Sequence, residues 1–321
     1  MVQEVGTSLP LLLVIVGPTA VGKTAVAMEV ARELGCEIVS ADSRQVYRGL
    51  EIGSGAPTHE ELAEIPHHLV ASDPPDQRLT AGDFARRARS IIEEILFRGR
   101  LPLLVGGSGL YIRAIIDGLA ETPPSDPAVR QALQDELKRR GIEALLGELQ
   151  EIDTEYATLV GKHDLKRLFR ALEVWRITGK RLSEWHQDQK QAAWIEPLIY
   201  GLERPLQERR DNIRRRVHEM IRLGWIEETR RLLGENGMPV AAAEAVGYRQ
   251  IARAIAGEIP IEQAIEETII ATQQFAKRQM TWFRADKRIQ WLTGSGPIAT
   301  HVWAEEIIRG YRQASAARVT L

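Results

Sequence analysis

The chain has 321 residues, 44% of them hydrophobic, which suits one large or two medium domains with a real core and argues against disorder. Its 42 Lys and Arg against 44 Asp and Glu give a formal charge of -2, so bulk electrostatics neither demand nor exclude a nucleic-acid partner, and any basic surface must be local. The single cysteine, Cys36, excludes a disulfide framework or a zinc cluster within one chain and fits a reducing, cytoplasmic setting. The longest early apolar run is too short to span a bilayer and lacks a basic leader, so neither a signal peptide nor a membrane segment is expected.

Residues Met1 to Ser8 read as a loose tail, and the apolar run Leu11 to Val16 predicts the first strand. Directly after it comes Gly17-Pro18-Thr19-Ala20-Val21-Gly22-Lys23-Thr24, and a helix is expected from Lys23 to about Leu34, stopped by Gly35. The octapeptide fits G-x-x-x-x-G-K-[ST], whose glycines let successive backbone N–H groups face phosphate oxygens at the positive end of a helix. Lys23 adds a point charge, and Thr24 a hydroxyl for a magnesium ion. The pattern promises a polyphosphate-shaped anion without saying whether it is a nucleotide or a leaving group.

Glu37 to Ser40 reads as a second short strand and His67 to Val70 as a third. Thr80 with Asp83 looks like a capping box opening a helix to about Arg98, ended by Gly99. Leu101 to Val105 is a further strand, closed by Gly106-Gly107-Ser108-Gly109. The segment Thr122-Pro123-Pro124-Ser125-Asp126-Pro127 breaks the alternation, and the pattern stays helical to about Gln191. Pro197 to Glu203 restores a strand, and Ile289 to Leu292 offers a late one in a mostly helical remainder. These elements predict an α/β fold: a P-loop NTPase-like parallel sheet flanked by helices, with an inserted all-helical domain. The expected division is 1–121 for the first part of the core, 122–192 for the insert and 193–321 for the second part.

Asp42 follows the second strand, in Ser40-Ala41-Asp42-Ser43-Arg44-Gln45-Val46-Tyr47. In an open parallel sheet that position faces the same crevice as the phosphate loop. A carboxylate there can hold magnesium through water, accept a proton from a nucleophile, or cap its own loop. The strand Leu101 to Val105 ends in glycines rather than the acid a nucleotide hydrolase uses for its metal, which weakens an ATPase reading. Gly106 to Gly109 is either a close backbone approach to a ligand, with Ser108 as its polar contact, or an ordinary turn.

His67 and His68 lie on opposite faces of a strand and are expected to be structural. Two basic groups stand out: Arg204, Arg209, Arg210 and Arg214 to Arg216, and Lys162, Lys166, Arg167 and Arg170. They are either phosphate-docking places or solvated helix faces. The run Gln273 to Arg284 mixes aromatic and basic residues, which suits packing on the sheet as well as RNA contacts.

With these segments together, the chain resembles the tRNA dimethylallyltransferase (IPP transferase) family. Beyond the phosphate loop, the blocks are Asp42 to Tyr47, Ile52-Gly53, Pro66 to Leu69, Val105 to Ile112, Arg170 to Val174 with Thr178-Gly179-Lys180, Val246 to Gln250, and Ala276 to Arg284. They appear in family order from about residue 11 to 292. The resemblance implies transfer of a dimethylallyl group from dimethylallyl diphosphate to N6 of the adenine at position 37, beside the anticodon of a tRNA. It also implies that Thr19, Lys23 and Thr24 contact the diphosphate with magnesium alongside, that Arg216 braces it, and that Asp42 is the general base. Contacts to the tRNA anticodon stem-loop map onto Asp42, Ser43, Arg44, Gln45, Ser108 and Arg130, and in the insert onto Lys166, Arg167, Leu168, Phe169 and Arg170. A cytoplasmic monomer is the expected state.

Several positions depart from the family pattern. Ser108 replaces Thr, Glu51 replaces Asp, Ala56 stands where Lys is common, His163-Asp164-Leu165 differs from Asn-Asp-Pro, and Asn212 replaces the first Arg of R-I-x-x-R. Three readings compete with this one. A P-loop small-molecule kinase shares the loop and the Asp. An RNA-binding protein could use the loop only to sense a nucleotide. Isopentenyl transfer to free adenine nucleotides is the third, and it leaves the long helical insert unexplained.

Overall fold

The computed structural model describes residues 9–188, 193–234 and 237–319, so the tail expected at Met1 to Ser8 and the end of the insert near Gln191 lie outside the described residues. The chain divides into two compact units, Met1–Ile116 with Ala193–Leu321, and Asp117–Ala192. The first opens with β1 (Leu11–Val16), α1 (Lys23–Leu34), β2 (Cys36–Ala41), α2 (Glu51–Ser54), α3 (His59–Glu64), β3 (His67–His68), α4 (Ala81–Phe97), β4 (Leu101–Gly106) and α5 (Gly109–Ile116). The second holds α6 (Pro127–Ile152), α7 (Thr154–Ala157), α8 (Leu165–Thr178) and α9 (Leu182–Gln187). The first unit resumes with β5 (Glu196–Glu203), α10 (Leu206–Arg222), α11 (Trp225–Leu232), α12 (Val240–Ala243), α13 (Tyr248–Ile255), α14 (Ile261–Arg284), β6 (Gln290–Thr293) and α15 (Ile298–Val319).

Among the described residues six strands form one sheet in the order β3-β2-β4-β1-β5-β6, and every pairing is parallel. A parallel strand covered on both faces needs an unbroken apolar run, and Leu12 to Ile15 are all 0% exposed. One face packs under α1 and α15, where Trp303 and Ile307 join Leu13, Ile15 and Val26 in a single core. Burying each such side chain contributes roughly 1.5–3 kcal/mol.

The ladder registers decide where the site forms. Gly106 at the end of β4 pairs with Val16 of β1 on one side and Ala41 of β2 on the other. A Cβ on Gly106 would lie 2.1 Å from the Ala41 carbonyl oxygen, so only glycine fits between the two ends. Gly17, Gly107 and Asp42 therefore leave the sheet side by side.

Local signals account for most boundaries. β3 stops at His68 rather than Val70, because Leu69 (φ 60°) and Ala71 (φ 44°) take left-handed backbone that ends a ladder. At α4 only half of the expected box forms: Thr80 Oγ1 accepts from the Asp83 N–H at 3.1 Å, while the Asp83 carboxylate takes the Thr80 hydroxyl at 2.5 Å. A complete box, Thr58 with Glu61, opens α3 instead (3.3 and 2.8 Å). His67 binds the Ile65 carbonyl at 2.7 Å and His68 binds Glu37 at 2.8 Å, so both serve the fold.

The helical unit has its own core, with Leu133, Leu145, Leu149, Leu168 and Leu172 each 0% exposed. Gly141, at φ 77°, breaks α6 in two. Glu173 is a fully buried carboxylate. It accepts from Ser125 Oγ (2.7 Å), Asp126 N (2.9 Å), Arg130 (3.0 and 3.2 Å) and Arg170 (3.0 Å). Burial alone would raise its pKa; the bonds from Arg130, Ser125 and Arg170 outweigh burial and hold it below the usual carboxylate range.

A folded pKa below the unfolded one means stabilisation that is full above about pH 4.3 and lost as pH falls through the folded value. Glu173→Gln should therefore lower unfolding free energy by about 1–3 kcal/mol near neutral pH in denaturant titrations. The gap from wild type should close in acid.

Candidate functional site

The phosphate loop is built by backbone conformation. Gly22 sits at φ 108°, and Ala20 at φ 61° has its carbonyl held by Asn212 Nδ2 at 3.3 Å. Val21, 1% exposed, anchors the loop in the core, and Arg204 Nε binds the Val21 carbonyl at 2.9 Å. Lys23 Nζ folds back to donate to the Gly17 and Pro18 carbonyls, both at 3.0 Å. The Thr19 N–H donates to Gln279 Oε1 at 2.9 Å, and Gln279 Nε2 donates to the Gly107 carbonyl at 2.9 Å. Gln279 thus ties the phosphate loop to the turn after β4.

Asp42 is positioned by its own loop. Its Oδ1 accepts from the N–H groups of Arg44 (2.8 Å) and Gln45 (3.4 Å), while Oδ2 has no hydrogen-bond partner among the described residues. Ser108 Oγ accepts from the Ser43 N–H at 3.0 Å, and the Ser108 N–H reaches the Ala41 carbonyl at 3.2 Å. Gln45 joins Ser40 Oγ (2.9 Å) to the Gly55 carbonyl (2.9 Å). Arg44 is held by the Ala241 carbonyl at 3.1 Å and stands 3.6 Å from Glu244.

These groups share one cavity of about 850 Å³, whose polar wall includes Thr19, Lys23, Thr24, Asp42, Arg216 and Gln279. Its apolar wall includes Val105, Ile213, Val217, Met220 and Phe275. Burial pulls the Lys23 ammonium down to about 8; Asp42 opposes the fall and Arg216 adds to it. Burial likewise lowers Arg216, again opposed by Asp42. Among the described residues Arg216 Nη2 has only the Ser54 and Gly55 carbonyls, both at 3.4 Å. Lys23 and Arg216, buried and bonded directly to carbonyl oxygens, are the cavity cations suited to a polyanion.

The arginine group from Arg204 to Arg216 does not form one patch. Arg204 is 7% exposed, bound to Glu208 at 2.6 Å and stacked on Trp303, whereas Arg214 pairs with Glu266 at 2.5 Å. Of the insert residues expected to meet RNA, Lys166 and Arg167 are exposed, and Arg167 also donates to the Leu159 carbonyl at 3.1 Å. The Leu168 side chain is fully buried in the helical core, with Phe169 packed against it, so Leu168 supports that surface from below. Arg130 and Arg170 are engaged by Glu173, and Arg170 also binds Thr122 (2.6 Å) and the Pro123 carbonyl (2.7 Å). Asn212 stood out in the sequence only as a departure from R-I-x-x-R and Gln279 only as part of the Ala276 to Arg284 block; the structure gives both a place in the site.

Among the described residues no group of three or more His, Cys, Asp or Glu could hold a metal ion, and no helix is long and apolar enough to cross a membrane. Magnesium keeps several waters and binds through one or two protein oxygens plus phosphates. The Thr24 hydroxyl, beside a diphosphate's own oxygens, fits such an ion.

A family model described as IPP transferase matches residues 45–286. A tRNA dimethylallyltransferase of Symbiobacterium thermophilum is 40% identical, over 94% of this chain and 95% of that protein. One of Geobacillus kaustophilus is also 40% identical, over 92% and 94%. Among solved structures, the tRNA isopentenylpyrophosphate transferase of Bacillus halodurans matches with a TM-score of 0.70 at 31% identity, covering 97% of this chain and 99% of that one. A eukaryotic dimethylallyltransferase described as acting on tRNA matches with a TM-score of 0.76 at 25% identity, over 88% and 74% of the respective chains.

The depressed Lys23 predicts the pH dependence of anion binding. Inorganic pyrophosphate should bind with proton uptake near pH 8, and its affinity should fall as pH rises through about 8 and the ammonium loses its charge. Titration calorimetry in two buffers of different ionisation enthalpy measures both, and Lys23→Met should abolish the proton uptake.

Proposed function

The chain belongs to the IPP transferase family, and we propose that it transfers a dimethylallyl group from dimethylallyl diphosphate to N6 of the adenine beside the anticodon, position 37, of a tRNA. The observation that carries this reading is the meeting of Val16, Gly106 and Ala41 at the sheet edge, which delivers the phosphate loop and the Asp42 carboxylate to one cavity. β4 ends in Gly106 with no acid, which speaks against nucleotide hydrolysis.

The mechanism follows from charge. The bond from the allylic carbon to the diphosphate oxygen breaks, and its electron pair leaves with the diphosphate. Backbone N–H groups of the phosphate loop, Lys23 and Arg216 stabilise that leaving group, and losing one such preorganised donor typically costs on the order of 3 kcal/mol. Magnesium, held by Thr24 and diphosphate oxygens, would supply further charge neutralisation. The apolar wall of Val105, Val217, Met220 and Phe275 suits the allyl group and would shield the developing cation from water.

Adenine N6 is a weak nucleophile because its lone pair is delocalised into the ring. As the carbon–nitrogen bond forms, N6 gives up a proton, and Asp42 Oδ2 is the acceptor. The adenine leaves its stack to reach the cavity, as bases do in other base-modifying enzymes. Arg44 and Gln45 lie beside Asp42, and the exposed Lys166 and Arg167 suit RNA backbone phosphates.

Incubation with undermodified tRNA, magnesium and dimethylallyl diphosphate should yield a dimethylallyl adenosine by nucleoside mass, and ATP in place of the diphosphate should yield no change. Asp42→Asn keeps an acceptor for the Arg44 and Gln45 amides but removes the base. It should lower kcat roughly 100- to 10,000-fold with tRNA affinity nearly intact, and normal turnover would sink the assignment. Lys166→Ala with Arg167→Ala should flatten the salt dependence of tRNA binding by a slope of about 1–2.

A further inference from the structure

Two blocks that match the family, Ile52-Gly53 and Val246 to Gln250, have no place in the mechanism above. They meet at a buried carboxylate. Glu228 of α11 is 2% exposed, and its two oxygens accept separately from the first amides of α2: Ile52 N to Oε2 at 2.7 Å and Gly53 N to Oε1 at 2.9 Å. Tyr248, 0% exposed at the start of α13, brings its hydroxyl 2.8 Å from Glu228 Oε1 and 3.2 Å from the Leu50 carbonyl. Its single proton goes to the carboxylate, the stronger acceptor. A Cβ on Gly53 would stand 2.0 Å from Trp225 Nε1 and 2.5 Å from the Tyr248 hydroxyl, so α2 lies directly on this pair.

The other end of α2 faces the cavity. The Ser54 and Gly55 carbonyls are the only partners of Arg216 Nη2 among the described residues, and the Gly55 carbonyl also takes the Gln45 amide at 2.9 Å. A Cβ on Gly55 would lie 1.9 Å from Arg216 Nη2, so the guanidinium has no slack against this backbone. One turn of helix therefore carries any displacement at Glu228 to Arg216 and Gln45.

The geometry points to Glu228, with Tyr248, as a positioning residue that sets Arg216 for the diphosphate by fixing α2 between them. This rests on the assignment of Arg216 to the diphosphate. Burial raises the pKa of Glu228, as expected for a carboxylate kept in place by amide donors rather than by a cation.

The test reads Arg216 first without any ligand. In the full chain labelled with 15N-arginine, the Arg216 Nε–H resonance, identified by its loss in Arg216→Lys, should shift and broaden in Glu228→Gln, whose donor-only NH2 faces one of the two backbone amides in place of an accepting oxygen. An unmoved resonance in that variant would overturn the inference. Tyr248→Phe, which keeps the carboxylate, should give a smaller change in the same direction and carries the measurement if Glu228→Gln does not fold; no change there would equally overturn it.

Function is read next, as inorganic pyrophosphate affinity. Glu228→Gln should weaken it about tenfold, the scale of one lost charge-assisted bond. In the Arg216→Lys background the same change should cost almost nothing; additive losses would overturn the coupling. KM for dimethylallyl diphosphate should rise while KM for tRNA holds, whereas activity lost only in proportion to unfolded protein would reduce Glu228 to a structural role. If wild type binds no pyrophosphate, the diphosphate assignment falls, and the resonance measurement still decides whether Glu228 positions Arg216.

Discussion

The site depends on a close approach with no room for a side chain, where the end of β4 passes between the ends of β1 and β2. A Cβ on Gly106 would stand 2.1 Å from the Ala41 carbonyl oxygen, so the three ends can pair only with glycine there. Neighbouring strands lie about 4.8 Å apart, which puts the first residues beyond them within about 10 Å of one another. The phosphate loop, the Ser108 turn and Asp42 are those residues. Ser108 then links its turn to the Asp42 loop, and Gln279 links it to the phosphate loop, so Asp42 and the phosphate loop share one hydrogen-bonded frame. Preorganisation of this kind lets dipoles stabilise developing charge without rearranging during the reaction.

The same frame holds two cations in an unfavourable state. Burial lowers both Lys23 and Arg216, and Asp42 is the carboxylate that offsets it for each. Their direct partners are neutral: the Gly17 and Pro18 carbonyls for Lys23, and the Ser54 and Gly55 carbonyls for Arg216. At an effective dielectric of about 20, two unit charges 4 Å apart interact by roughly 4 kcal/mol, more than a carbonyl dipole supplies. A polyanion between Lys23 and Arg216 would therefore relieve what their neutral partners leave unsatisfied. The charge pattern selects a polyanion before any chemistry is considered.

Much of this was legible in the sequence because it is local. β1 and α1 have the bounds that apolar run, loop and Gly35 imply, and β2 and β4 differ from expectation by single residues. β3 was shorter than its apolar pattern implied because the left-handed Leu69 and Ala71 leave no mark on hydrophobic periodicity. Two features needed three dimensions. Gln279 reaches Thr19 across 260 residues of chain, and its run read equally well as packing or RNA contact. Glu228 sits in an ordinary amphipathic helix, and only its burial against the amides of α2 distinguishes it from the exposed Glu227 before it.

The arginines show why residue density is a poor guide to an anion site. A helix turns about 100° per residue, so consecutive side chains diverge. Arg214, Arg215 and Arg216 accordingly meet Glu266, Asn212 and the cavity in turn. In α8 and α6 the same logic gives Arg130 and Arg170 to Glu173, while Lys166 stays exposed one turn away. A chain with 42 basic and 44 acidic side chains has a carboxylate available for nearly every cation. What separates Arg216 from Arg214 and Arg215 is that it is buried at the cavity, and among the described residues its direct partners are the carbonyls at the end of α2.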